Sequence, residues 1–310
     1  MLVLLPLPAL SLHLSSMIDR ILILGTGLLG ASTGLALRAA GFQGSIVGWD
    51  KDPLQSRDAL SIKSIDAIAP KPLAAVEASQ LILLATPVYA ILDWMEQLAP
   101  ILGPSHLVTD VGSTKALITN AGNRLFNKPG RAGFLPGHPM AGKEVSGALE
   151  AEAELFRGAV WIFTSEPDPE SLHVDQPAMS FRSAELASSW RHRIESFGCR
   201  TLDLEATRHD ELVAWVSHLP QFLSTALTAL LQTQLGDAPE LAAVGGRALR
   251  EMTRLGSSPY SMWRDVAYTN TEQVAAAIHA LEQRLAHLRE NLRTPELRDE
   301  FELANRFRKG

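Results

Sequence analysis

Six residues constrain the fold of this chain more than any others. Gly25-Thr26-Gly27-Leu28-Leu29-Gly30 is a G-x-G-x-x-G set between a short apolar run, 21–24, and a small-residue stretch of helical character, 28–40, that stops at Gly41. In such a turn the first glycine permits the tight bend, the second lets backbone approach a pyrophosphate, and the third lets helix and strand pack closely. The amides and dipole at the helix start then suit a diphosphate. Standing alone, the motif is equally a glycine-rich turn. Here a second strand, 45–49, ends at Asp50, twenty residues beyond Gly30, where a carboxylate accepts a ribose 2′-hydroxyl. Asp50 repels a 2′-phosphate, although Lys51 beside it weakens that argument, so NAD is expected in preference to NADP. Gly25, Gly27, Leu28, Leu29, Gly30 and Asp50 are the expected cofactor-binding residues.

Further apolar runs at 81–85 and 106–109 flank a helical pattern at 91–98, and 133–134 and 160–163 are later strand candidates. Strands alternating with helices read as a parallel, doubly wound sheet. The polar, proline-rich stretch 164–176 reads as a surface loop, and no strand signal survives past Thr207. Within 212–231, Leu212, Val216, Leu223, Leu227 and Leu230 share one helical face, which Pro220 is expected to kink. Thr269 with Glu272 forms a capping box for a last long helix. Its Val274, Ile278, Leu281, Leu285, Leu288 and Leu292 make a seam that needs a partner helix, in this chain or in a second copy. The expected boundary lies near residue 185, dividing an α/β domain, 17–185, from an all-helical one, 186–310.

Composition narrows the function classes. The 310 residues carry 28 Lys and Arg against 34 Asp and Glu, a net charge of −6, which argues against nucleic-acid binding. One cysteine, Cys199, excludes an internal disulfide framework or a cysteine-rich metal site and fits a reducing compartment. Residues 1–16 are apolar but hold Pro6 and Pro8 and lack a positive start, so they read as a disordered tail or an upstream mis-called start, with an atypical signal peptide as the lesser reading. No run reaches the roughly 20 apolar residues of a membrane span, and a soluble, cytoplasmic protein is expected.

Two segments look built for chemistry. Asp110-Val111-Gly112-Ser113-Thr114-Lys115 and Gly137-His138-Pro139-Met140-Ala141-Gly142 each follow a strand and open at the crevice where a nicotinamide would sit. A Ser and a His brought together there can handle a substrate hydroxyl while hydride leaves its carbon. Ser113 is equally a candidate helix N-cap, whereas His138, flanked by glycine and proline, makes an awkward core residue. Ala85-Thr86-Pro87-Val88 is by itself an ordinary strand-to-helix turn; the fingerprint upstream makes Thr86 and Pro87 candidates for cofactor contact.

These segments, with Ser217-His218-Leu219-Pro220 and the run from Met252 to Asp265, MTRLGSSPYSMWRD, resemble the prephenate/arogenate dehydrogenase family of tyrosine biosynthesis, from Ile21 to about Ala286. The resemblance implies a Rossmann-type nucleotide domain followed by a helical dimerisation domain, a homodimer, and NAD-dependent oxidative decarboxylation of prephenate or, alternatively, arogenate. It makes His138 the group that takes the ring hydroxyl proton, with Ser113 orienting imidazole, hydroxyl and nicotinamide. Aromatisation drives the carbon–carbon cleavage, so no metal is called for. Arg254 matches the family's substrate-carboxylate arginine, a fork that stays charged, with Arg250 and Arg247 in reserve. His218 matches the histidine lining the side-chain pocket, though it could equally be an inter-helix or solvent-exposed residue. Gln221 replaces the histidine often found after this motif. Glu144 gates the pocket or pairs with an arginine, or simply forms a solvated turn with Lys143. Trp263, Arg264 and Asp265 read as structural, with Trp263 packing the helical domain and the other two paired. His13, His106, His173, His192, His209, His279 and His287 show no ligand spacing.

Two rivals stand against this reading. A 6-phosphogluconate-type β-hydroxyacid dehydrogenase would need a lysine in its helical half, and none occurs from Thr201 through Ala286. A non-catalytic NAD-binding sensor would have no use for Ser113, His138 and Arg254 together.

Overall fold

The computed structural model describes residues 17–165, 179–236 and 238–309. The expectations for 1–16, and for the loop beyond Ser165, fall outside these residues. Two compact units are present: one runs to Asp210 and takes in Ser257–Thr269, the other is Glu211–Gly256 with Asn270–Gly310. The boundary expected near 185 falls inside a helix of the first unit.

The first unit holds a six-stranded parallel sheet of order β3-β2-β1-β4-β5-β6: β1 Arg20–Leu24, β2 Ser45–Trp49, β3 Ala67–Ile68, β4 Leu81–Leu84, β5 Leu107–Asp110 and β6 Gly133–Leu135. Alternate residues feed two cores. Ile21, Ile23, Leu81, Leu83 and Leu107 face helix α1 (Leu28–Ala39), while Leu22, Leu24, Ile82, Leu84 and Val108 face α4 (Val88–Leu98) and α5 (Ala116–Leu125). Burial on both faces explains why these strands read as unbroken apolar runs. The short helices α2 (Pro53–Ser61) and α3 (Pro72–Val76) complete the connections.

A second, three-stranded sheet follows: β7 (Gly137–Pro139) runs antiparallel to β8 (Val160–Ser165), which pairs in parallel with β9 (Arg200–Glu205) after α6 (Phe181–Ser196). Cys199, just before β9, is buried, and burial pushes its thiol up to about 11, so it stays protonated and inert. Helix α7 (Ala206–Val213) widens into one π turn, Ala214–His218, before α8 (Leu219–Leu235). Pro220 therefore sits in the first turn of a new helix, where its missing N–H costs little; the expected kink takes the form of that wide turn.

The second unit is helical: α8, α9 (Pro239–Val244), α10 (Arg247–Thr253), α12 (Thr271–Glu290) and α13 (Glu296–Lys309). Three expectations change here. Along the π turn and α8 the buried polar residues are His218, Gln221 and Ser224, while Val216 and Leu230 are exposed, because Gln221 Nε2 donates to Leu255 O at 2.7 Å and a polar face packs inward. The capping box does not form: Thr269 ends α11 (Tyr260–Thr269), its hydroxyl donates to Asp265 O at 2.7 Å, and Asn270 holds the N-cap of α12. The seam helix stops at Glu290, leaving Leu285 and Leu292 exposed, and α13 follows it. Helix α11, which carries Trp263, belongs with the sheet-bearing unit rather than the helical one, where Tyr89 N on α4 donates to Asp265 at 3.4 Å. No helix among the described residues is long and apolar enough to cross a membrane.

Candidate active site

The fingerprint turn has the geometry a dinucleotide needs. Gly25 sits at φ +99°, and a Cβ there would lie 2.4 Å from Ala85 O, so only glycine fits between the ends of β1 and β4. A Cβ at Gly30 would lie 1.9 Å from Gly25 O, whereas one at Gly27 would meet nothing within 4 Å. The loop is therefore tight behind and open in front. Helix α1 begins at Leu28 after Gly27 with no side-chain cap, leaving its first amides for an anion. Leu28 and Leu29 are half-buried. Asp50 at the end of β2 accepts from Thr26 N at 2.8 Å through one oxygen and from Asp52 N at 3.0 Å through the other. Each oxygen keeps a lone pair for a hydroxyl. Thr86 Oγ1 is buried without a hydrogen-bond partner, and Pro87 caps α4. An open glycine turn, an uncapped helix and an orphaned hydroxyl at one sheet edge fit a dinucleotide.

The next strand end carries the chemistry. Asp110, last in β5, accepts from Gly112 N at 2.8 Å and from Gly137 N at 3.1 Å, tying together the segments that bear Ser113 and His138. Its partner is Lys115, also wholly buried, whose Nζ additionally donates to Gly137 O at 2.9 Å. Burial holds the Lys115 ammonium below the usual lysine range, against the pull of Asp110 and Asp210. Helix α5 starts at Ala116, so Ser113 is not its N-cap and stands half-buried in the turn before it.

His138 occupies β7 opposite Ile162 and is 8% exposed. Its Nδ1 lies 2.8 Å from His209 Nε2, and His209 Nδ1 lies 2.8 Å from Asp210 Oδ1. Glu205 caps α7 by accepting from Thr207 N and Arg208 N, which sets His209 and Asp210 in its first turn. Asp210 in turn accepts from Lys115 N at 2.7 Å and Ala116 N at 2.9 Å, a carboxylate on the N-terminus of α5. Burial pushes the His209 pKa down, and Asp210 pulls it back up.

Beyond Pro139, Glu144 is half-buried, while Lys143 pairs with Glu152 at 2.6 Å and donates to Glu150 O rather than turning to Glu144. In α11 Arg264 and Asp265 pair at 2.7 Å.

Within the helical unit, Arg254 opens a tight turn, Arg254–Ser257, and is exposed. Gln221 bonds the next carbonyl in that turn, Leu255 O, and a Cβ on Gly256 would lie 2.6 Å from Thr228 Oγ1, so the turn sits hard against α8. Arg250 bonds Gly245 O, and Arg247 is an exposed partner of Glu251. His218 is buried with Nδ1 3.3 Å from Asn270 Nδ2.

A family model described as the nucleotide-binding domain of prephenate dehydrogenase matches residues 33–181, and one for the prephenate dehydrogenase dimerization domain matches 205–308. The chain belongs to the prephenate dehydrogenase family. It is 28% identical over 263 residues to a prephenate dehydrogenase of Bacillus subtilis, covering 84% of this chain and 67% of that protein. The chain thus spans about two thirds of the length of that relative. The structure of a prephenate dehydrogenase from A. aeolicus, in complex with hydroxyphenyl propionate and NAD+, superposes with a TM-score of 0.76 at 28% identity, over 94% of this chain and 95% of that one. A Synechocystis arogenate dehydrogenase superposes with a TM-score of 0.70 at 27% identity, over 94% and 99%.

The prephenate dehydrogenase motifs led to His138 but not to His209, Asp210, Asp110 or Lys115. His209 follows His138 by 71 positions and contacts it only through the fold. The available signal was a His-Asp dipeptide just after Glu205, on a helix short enough to face inward.

Proposed function

We propose that this protein oxidises prephenate with NAD to 4-hydroxyphenylpyruvate and carbon dioxide, as a cytoplasmic homodimer. The observation that carries the reading is the buried, strand-held imidazole of His138, pinned through Asp110 to the sheet edge where the open glycine turn lies. Gly25, Gly27, Leu28, Leu29 and Gly30 would hold the diphosphate and Asp50 the adenine ribose, with Thr86 and Pro87 as further cofactor-binding residues; NAD would supply the hydride acceptor for the ring carbon that bears the hydroxyl.

His138 takes the hydroxyl proton as that hydride leaves. The ring carboxylate then departs as carbon dioxide, its bond electrons passing into the ring, and His138 returns the proton to the phenolate oxygen. Ser113 orients the hydroxyl. Arg254 holds a substrate carboxylate, and Glu144 is a further substrate-binding residue. The α/β half serves the cofactor, and the helical half serves the side chain and the contact between copies. His218, buried beside Asn270, serves the side-chain pocket.

Parallel kinetics with the two substrates, read by NADH absorbance, test this. Faster turnover of prephenate is expected; preference for arogenate reverses the substrate, and no NADH from either refutes the activity.

A further inference from the structure

The pair His209 and Asp210 has no place in the reaction just described, yet both are buried, with His209 against His138 and Asp210 behind His209. We propose that they are positioning residues for the base. Asp210 accepts the Nδ1 proton of His209, His209 Nε2 accepts the Nδ1 proton of His138, and the lone pair on His138 Nε2 is thereby the one presented to the substrate hydroxyl. The inference rests on His138 being the base.

Each link leaves little choice. Asp210 Oδ1 accepts from Lys115 N and Oδ2 from Ala116 N at the start of α5, so both oxygens of its carboxylate serve as acceptors. His209 Nδ1, at 2.8 Å, must donate to it. A neutral imidazole with its proton on Nδ1 has only a lone pair on Nε2. Two ring nitrogens 2.8 Å apart need one proton between them, and that proton must then belong to His138 Nδ1. The rings meet at 63° with centroids 5.0 Å apart, an edge approach suited to an N–H···N bond.

The arrangement holds only while His209 is neutral, since a protonated ring would donate from both nitrogens and turn His138 the wrong way round. The charged groups around it are Asp210, Lys115 and Asp110. Burial disfavours the charged ring most strongly and Lys115 adds to that, while Asp210 and Asp110 oppose it, with a net shift downward. When His138 gains a proton, its cation faces Asp210 across a single neutral ring, so the device fixes the tautomer and offsets the charge.

The test compares His209→Phe with His209→Gln, whose Oε1 can still accept from His138 Nδ1. His209→Phe is expected to lower kcat by roughly 10–100-fold with KM for prephenate little changed, as loss of an orienting partner does. The acid limb of kcat/KM moves to lower pH, because the His138 cation loses its acceptor. His209→Gln recovers most of the rate. In a His138→Asn background, His209→Phe costs nothing further. An unshifted acid limb in a folded variant, or the same fractional loss in both backgrounds, overturns the proposal. If His209→Phe does not fold, as judged by its melting temperature, His209→Gln decides: near-wild-type rate and acid limb support the proposal, whereas a kcat loss as large as the roughly 10–100-fold expected of an orienting partner's removal refutes it. Full turnover by His138→Asn would instead remove the base itself, a distinct failure.

Discussion

Lys115 and Asp110 form an ion pair that excludes solvent from both side chains and also clamps Gly137, so the strand bearing His138 is fastened to the end of β5 by charge. Removing one member leaves the other charged and buried. Lys115→Met is expected to destabilise the fold by about 3–5 kcal/mol. Urea unfolding monitored by tryptophan fluorescence checks this, and a change within about 1 kcal/mol would show that the pair is dispensable.

His138→Asn keeps a hydrogen-bonding side chain but no base. Turnover is expected to fall by about 10²–10⁴ with KM nearly constant. Near-normal turnover would take His138 out of the reaction.

Asp50→Ala removes the acceptor of Thr26 N together with the partner expected for the ribose. A hydrogen bond to a charged group contributes about 1.5–3 kcal/mol, so KM for NAD rises on the order of 10–100-fold, while KM for NADP changes less. Equal effects on both cofactors would show that Asp50 serves the loop alone.

Arg254→Ala is expected to raise KM for prephenate by an amount equivalent to roughly 2–5 kcal/mol if the ion pair is desolvated when substrate binds. An unchanged KM assigns the carboxylate to another cation, and Arg250, held by Gly245 O, is then the next to test.

The neutral, buried His209 also makes stability depend on pH. Burial holds its folded pKa below the ordinary histidine value of about 6.5 that describes the unfolded chain. Above that value both states are neutral and the residue adds no slope. As pH falls through it, the unfolded chain binds a proton that the folded one refuses, so stability drops until the folded pKa is reached. Urea midpoints from pH 8 to 5.5 should therefore decline less steeply in His209→Phe than in the native chain. Identical slopes would show that His209 titrates normally.

What the sequence made legible follows its physics. Strands such as Leu81–Leu84, buried on both faces, announce themselves as apolar runs, and Gly25–Gly30 with Asp50 announces a ligand. The second sheet was harder. β7 is three residues long and includes a glycine and a proline, which strands ordinarily avoid, and β9 leaves Leu202 exposed at the sheet's edge. Helix α8 misled because its polar face turns inward; a periodicity count takes Leu230 for core, although the fold buries Gln221 and Ser224 instead. In the site, His138 carried a local motif, whereas its contact with His209 depends on β8 and β9 bringing α7 alongside, which no short window of sequence contains.

The wide turn at Ala214–His218 has a cost in tolerance. It accommodates one residue more than an α-turn needs, and each residue rotates a helix by about 100°. A chain shortened by a single amino acid there would relax into an unbroken helix and swing His218 away from Asn270. A one-codon deletion there would redirect the ring that faces Asn270 without any change in its identity.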